Sequence, residues 1–215
     1  MTAANPNPMH LAKSVEHYSP PEMVEPARVT LGEIDVDPAS CVLANRIVRA
    51  RHILTREDDG LGRSWGVPWD PSRVLCNPPG GKGEDGSIQK QWWIHGAGQW
   101  AAGVVDALIW IAFKLDFLQL TQSGLPPGVP VPLDGAICYP RTRTGYYAPA
   151  HTAALPGFEI EALRRGESPP HASAVIYLPS RRDPEGLARF DGAFSSLGQV
   201  RWDARALARI GIDWG

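Results

Sequence analysis

The chain has 215 residues, 43% of them hydrophobic and 20% charged, with a formal net charge of −2. That length holds one full domain with a sizeable core and does not demand two, and the composition is globular rather than disordered. The slight negative balance excludes a global basic signature of nucleic-acid binding, although local basic patches remain compatible with it.

The N-terminal MTAANPNPMH is polar and has no apolar signal core, so residues 1–14 read as a mobile tail ahead of a single domain over 15–215. Pro20 and Pro21 followed by EMVEPARVTL predict a short helix begun by proline and ended at Gly32. EIDVD reads as a brief strand. PASCVLANRIV reads as a helix with Pro38 near its start, and ARHIL as a second strand. EDDGLGRSWGVPWDPS is turn-rich, and RVLC before Asn77 is a third strand. After a glycine loop, QKQWWIHGAGQWAAG predicts a helix, DALIWIAF a buried strand and LDFLQLTQ a further helix. GAICYP and SAVIYLP are strands, and FDGAFSSLGQVRW a helix leading into the last strand. Strands alternating with helices predict an α/β sandwich with a mostly parallel sheet, whose ligand cleft lies beyond the carboxyl ends of the strands. Asp37 and Asn77 both fall at such ends. The run over 101–120 is interrupted by Asp106, Lys114 and Asp116, too charged to cross a membrane. Cys41, Cys76 and Cys138 form no C-x-x-C pair and fit reduced thiols, so the expectation is a soluble cytoplasmic protein.

The segment VLCNPPGGKGEDG invites two chemistries. A phosphate loop needs G-x-x-x-x-G-K followed by Ser or Thr, but here Lys82 is followed by Gly83 and the first glycine is missing. Asn-Pro-Pro fits a different task. Two prolines hold the chain stiff and extended as it leaves the strand. The Asn77 side-chain oxygen and the Pro78 carbonyl then become two fixed acceptors, which suit an exocyclic amine with two N–H groups to satisfy.

In order the chain carries EHYSPPEMV, IDVDPAS, ANRIVRA, EDDGL, VLCNPP, a WW-containing helix and HASAVIYLP. This series, from about Glu16 to about Trp202, resembles the phage-type, Dam-like DNA N6-adenine methyltransferases. The resemblance implies a Rossmann-like class I, S-adenosylmethionine-dependent methyltransferase, a three-layer sandwich with a mostly parallel sheet and an antiparallel last strand. It implies phage or prophage origin and work in the cytoplasm of a bacterial host. Tyr18, Ser19 and Pro20 look like the element beside the methionine end of the cofactor. Asp35, Asp37, Pro38 and Ala39 lie in the stretch that looks like the cofactor motif, where a carboxylate pairs with the methionine ammonium. Asp37 before Pro38 also suits a helix cap. Asp58 or Asp59 looks like the acid that contacts the adenosine, and both also suit a turn. Asn77, Pro78 and Pro79 look like the catalytic turn.

Two departures stand out. Many amino methyltransferases carry an aromatic after Asn-Pro-Pro that stacks on the base, and here that position is Gly80. Trp92, Trp93 and Tyr146 are the rings expected to replace it. The glycines of the common D-P-x-x-G-x-G loop are also missing from DPASCVL. On the DNA side, Lys82, Arg141 and Arg143 suit phosphate contact. His95, His151 and His171 share no ligand spacing, so no metal is expected. The resulting expectation is adenine N6 methylation of DNA, with S-adenosylhomocysteine as product. Cytosine N4 methylation and a non-catalytic DNA-binding module are the alternatives.

Overall fold

A computed structural model describes residues 17–66, 68, 71–83, 86–149, 163–165 and 172–212. The expected tail over 1–14, together with His151 and His171, lies outside the described residues. Proline starts the first helix: Pro21 occupies an early position of α1 (Pro21–Leu31), where its missing N–H has no intrahelical partner to lose. Gly32, at φ 74°, ends it in a conformation that suits only glycine well. Then follow β1 (Val36–Asp37), α2 (Val42–Val48) and β2 (His52–Ile53). Helix α2 begins later than Pro38 predicted. Cys41 is its N-cap, and its sulfur accepts from the Ala44 N–H at 3.4 Å. The reason lies upstream: the Ala39 N–H is taken by Asp37 Oδ1 at 3.2 Å and the Ser40 N–H by the Leu54 carbonyl at 3.0 Å. Those donors hold the loop instead of starting a helix.

Next come β3 (Ser72–Cys76), a two-stranded ribbon of β4 (Lys82–Gly83) and β5 (Gly86–Ser87), and α3 (Ile88–Ala101). The ribbon lies in the segment that reads from sequence only as a glycine loop. Strand β6 (Val105–Ala112) leads to α4 (Asp116–Leu120), β7 (Ala136–Pro140) and a second ribbon, β8 (Tyr147–Pro149) with β9 (Leu163–Arg165). The described chain closes with β10 (Ala174–Leu178), α5 (Gly186–Phe194), β11 (Gly198–Arg201) and α6 (Ala204–Arg209).

The main sheet has seven strands in the order β11-β7-β10-β6-β3-β1-β2. Strands β2, β1, β3 and β6 are parallel neighbours, while β10 runs against both β6 and β7, and β11 against β7. The sheet is therefore mostly parallel with an antiparallel last strand, and β10 is a second reversed strand. Burial follows that layout. The run of β6 packs almost wholly out of solvent, as a strand covered on both faces should. Trp93 of α3 meets Trp110 of β6 edge-on at 5.2 Å and Phe117 of α4 at 5.8 Å. Each such ring pair adds about 1 kcal/mol beyond its buried area. Among the described residues no helix is long and apolar enough to cross a membrane.

The order of the sheet fixes where a ligand fits. From β1 the chain goes to β2 on one side, then returns to β3 on the other. The order reverses between β1 and β3, and open α/β sheets bind ligands beyond the carboxyl ends of the strands at such a point. Asp37 ends β1, and Asn77 directly follows β3.

Candidate active site

Strand β3 delivers Asn77 to the switch point, and a neighbouring main chain holds its side chain. Asn77 Nδ2 donates to the His17 carbonyl at 2.8 Å. A carbonyl only accepts, so the amide nitrogen must face His17, which leaves Oδ1 as an acceptor with no donor among the described residues. The segment that holds it is itself fixed. Tyr18 and Tyr147 exchange two backbone bonds, of 2.8 Å and 3.0 Å, and Tyr18, Ser19 and Pro20 are buried. Pro78 is buried behind Asn77, whereas Pro79 and Gly80 are exposed.

Across the switch point, Asp37 is buried and has no ion-pair partner among the described residues. Burial pushes its carboxyl up to about 6, against partial relief from the Ala39 N–H. Cys76, the residue before Asn77, is raised well above the ordinary thiol range by burial and by the nearby Asp37 charge. It remains a neutral thiol at physiological pH. Pro38 is buried beside Asp37, and Ala39 is half-buried.

The DPAS and EDDGL stretches are joined. The Leu54 N–H donates to the Asp37 carbonyl at 3.0 Å. A Cβ on Gly60 would lie 2.4 Å from the Pro38 carbonyl oxygen and 2.5 Å from the Trp92 ring, so only glycine lets the two loops touch. Within EDDGL, Asp58 Oδ2 accepts both the Thr55 N–H and hydroxyl, each at 2.8 Å. Those bonds, the backbone one foremost, hold the Asp58 carboxyl below its usual range. Asp59 is exposed, at a left-handed φ of 55°.

Several expected residues belong elsewhere. Asp35 lies at the opposite end of β1, gripped by Arg73 through Nε at 2.8 Å and Nη2 at 2.9 Å, with the Arg73 N–H also at 2.9 Å. It is a framework carboxylate, remote from the strand ends that carry Asn77. Trp92, Trp93 and Tyr146 are 8%, 0% and 2% exposed. Trp93 spends its indole N–H on the Pro130 carbonyl at 2.9 Å, and the Tyr146 hydroxyl bonds Ser173 at 3.1 Å. These rings hold the core and cannot meet a base without leaving it. Arg141, Arg143 and Lys82 are all exposed, and Arg141 binds the Ser195 and Ser196 carbonyls at the end of α5, at 2.9 Å and 2.7 Å. Among the described residues, no group of three or more His, Cys, Asp or Glu is arranged to hold a metal.

Two participants escape a reading by motif. His17 acts through its backbone carbonyl, which no side-chain pattern reveals. Phe113 follows β6 and lies against Gly80, a contact between residues far apart in the chain. Comparison with protein-family models, curated proteins and solved structures finds no match to this chain.

Proposed function

We propose that this chain is an S-adenosylmethionine-dependent DNA methyltransferase acting on the exocyclic amine of a flipped adenine. The observation that carries the reading is the Asn77 amide, oriented by the His17 carbonyl with its oxygen left free at the sheet switch point. An acceptor fixed in this way matches an N–H donor, and the stiff Pro78-Pro79 backbone keeps it in register. The donor set also suits the cofactor. Asp37 is a buried carboxylate with no cation among the described residues, at the facing strand end, as an amino-acid ammonium requires. Asp58, held rigid and charged by Thr55, suits ribose hydroxyls.

S-adenosylmethionine, when bound, supplies an electrophilic methyl group. Asn77 Oδ1 and the Pro78 carbonyl accept the two amine N–H bonds, which turns the nitrogen lone pair away from the base plane. Methyl transfer to that nitrogen would leave S-adenosylhomocysteine, and the methylated amine would release one proton to water. Positioning supplies most of the acceleration, so neither a metal nor a covalent enzyme intermediate is required. Extruding the base costs a few kcal/mol. Exposed Lys82 and Arg143 suit phosphate contact that offsets this cost. A DNA substrate also fits work in the cytoplasm of a bacterial host, with a phage or prophage source.

The test is incubation of the protein with DNA and labelled cofactor, then nucleoside analysis. N6-methyladenine is the expected product. N4-methylcytosine would reassign the substrate, since the same amine logic serves it, and absence of label in DNA would overturn the reading. Asn77→Ala should lower transfer by roughly 100-fold or more while cofactor affinity stays within about twofold, because the lost acceptor acts on the amine alone.

A further inference from the structure

We infer that Phe113 is the ring on which the extruded base stacks, taking the place of the aromatic side chain that Gly80 lacks. The inference rests on the methyltransferase reading above.

The argument begins with space. A Cβ on Gly80 would sit 2.8 Å from Phe113 Cζ and 3.2 Å from Cε2, closer than carbons tolerate. Positions 80 and 113 therefore compete for one volume, and a side chain at 80 would push the Phe113 ring from its place against the turn. Glycine at 80 is what admits the Phe113 ring to the catalytic turn. The φ of Gly80 is not in the left-handed region, so backbone conformation alone does not require glycine there.

Topology brings the two positions together. Cys76 and Trp110 are register partners in parallel strands β3 and β6. Gly80 and Phe113 lie just beyond the carboxyl ends of those strands, at the same end of the sheet as the ligand cleft. Phe113 is also suitably anchored. It is half-buried and packed against the core, and the tip of its ring meets the exposed Gly80. Trp93 and Tyr146 are fixed inside by their own hydrogen bonds, and Trp92 is buried against Trp65. A base whose amine reaches Asn77 Oδ1 lies next to this turn, and the partly buried Phe113 ring lies against it.

Three variants test the assignment by methyl incorporation into titrated DNA at saturating labelled cofactor. Calorimetric cofactor affinity and thermal midpoint are measured beside it. Phe113→Leu keeps most of the volume but removes the ring, and kcat/KM for DNA should fall roughly 10-fold or more. Its cofactor affinity and midpoint should hold. Phe113→Tyr should keep most of the activity. Phe113→Ala combined with Gly80→Phe moves the ring to the other position, and should recover most of what Phe113→Ala alone loses. A fully active Phe113→Leu, or a double variant no better than Phe113→Ala, would overturn the stacking role while leaving the methyltransferase reading intact. If the unaltered protein places no label in DNA, the methyltransferase reading falls first and this inference with it.

Discussion

Two buried carboxylates sit two residues apart around strand β1, and they have opposite fates. Asp35 is 3% exposed and Asp37 is 4% exposed. Asp35 takes three bonds from Arg73, with Arg51 Nη1 at 3.5 Å and Glu33 beyond it bonding Arg51 at 2.6 Å. Asp37 takes one backbone bond of 3.2 Å and no cation among the described residues. A buried charge that is paired and fully bonded belongs to the framework. One left without a cation at a ligand cleft carries a cost that a bound cation removes. Composition alone makes the two acids equivalent; their partners make them different.

The strongest way to break this comparison is to remove a partner from the framework end. Arg73→Met leaves Asp35 buried with the backbone N–H of residue 73 and, as its cation, only the more distant Arg51, and should lower stability by roughly 3 kcal/mol in urea unfolding. Replacing both residues, Arg73→Met with Asp35→Leu, should recover most of that loss, because no charge is then stranded. Cofactor affinity of the folded fraction should not change in either case. A change in it would mean that the two ends of β1 are coupled and that the contrast is false.

The framework half of this contrast was harder to read in sequence than the fold itself. Strand β6 was legible because DALIWIAF is a continuous apolar run, and α1 because proline and glycine punctuate it. The start of α2 was not, because a side chain two residues earlier and a carbonyl from another strand capture the donors that a helix would use. The short ribbons escaped for a related reason: two or three residues per strand carry no period, and pairing decides them. At the site, Asn77 and Asp37 were legible as strand-end residues. Asp35 reads as part of the cofactor stretch because alternation within IDVDP gives no sign of Arg73, distant in sequence. The rings failed likewise. Trp92, Trp93 and Tyr146 look available in sequence, and only packing reveals that they are enclosed and that Phe113 is not.

Asp37→Asn sharpens the other half. Burial raises the folded carboxyl from 3.8 to about 6, so the native state holds its proton more tightly than the unfolded chain does. Its stability contribution is favourable at acid pH and is lost as pH rises through the window from about 4 to 6. Two pH units correspond to about 3 kcal/mol. Asp37→Asn should therefore gain up to that amount at pH 7 and flatten the stability profile across the window. Cofactor binding should move the opposite way. The unaltered protein should lose affinity roughly tenfold per pH unit below about 6, as the carboxylate protonates, and Asp37→Asn should bind weakly at every pH. Unchanged affinity in the variant would make Asp37 merely a loop residue.

The smallest effect separates the two acids of EDDGL, which the sequence leaves equivalent. Asp58 is held by both Thr55 donors on Oδ2, so its second oxygen is fixed in place and its charge is maintained. Asp59 is exposed and curls over its own turn, where a Cβ on Gly62 would meet its Oδ2 at 2.7 Å. A preorganised charged acceptor binds hydroxyl donors better than a free one, because no ordering is needed at binding. Asp58→Asn keeps an oxygen for Thr55 but loses the charge, and should weaken cofactor binding by about tenfold in calorimetry. Asp59→Asn, in a backbone conformation that asparagine tolerates, should stay within about twofold. The reverse ranking would transfer the adenosine contact to Asp59 and leave Asp58 as a cap alone.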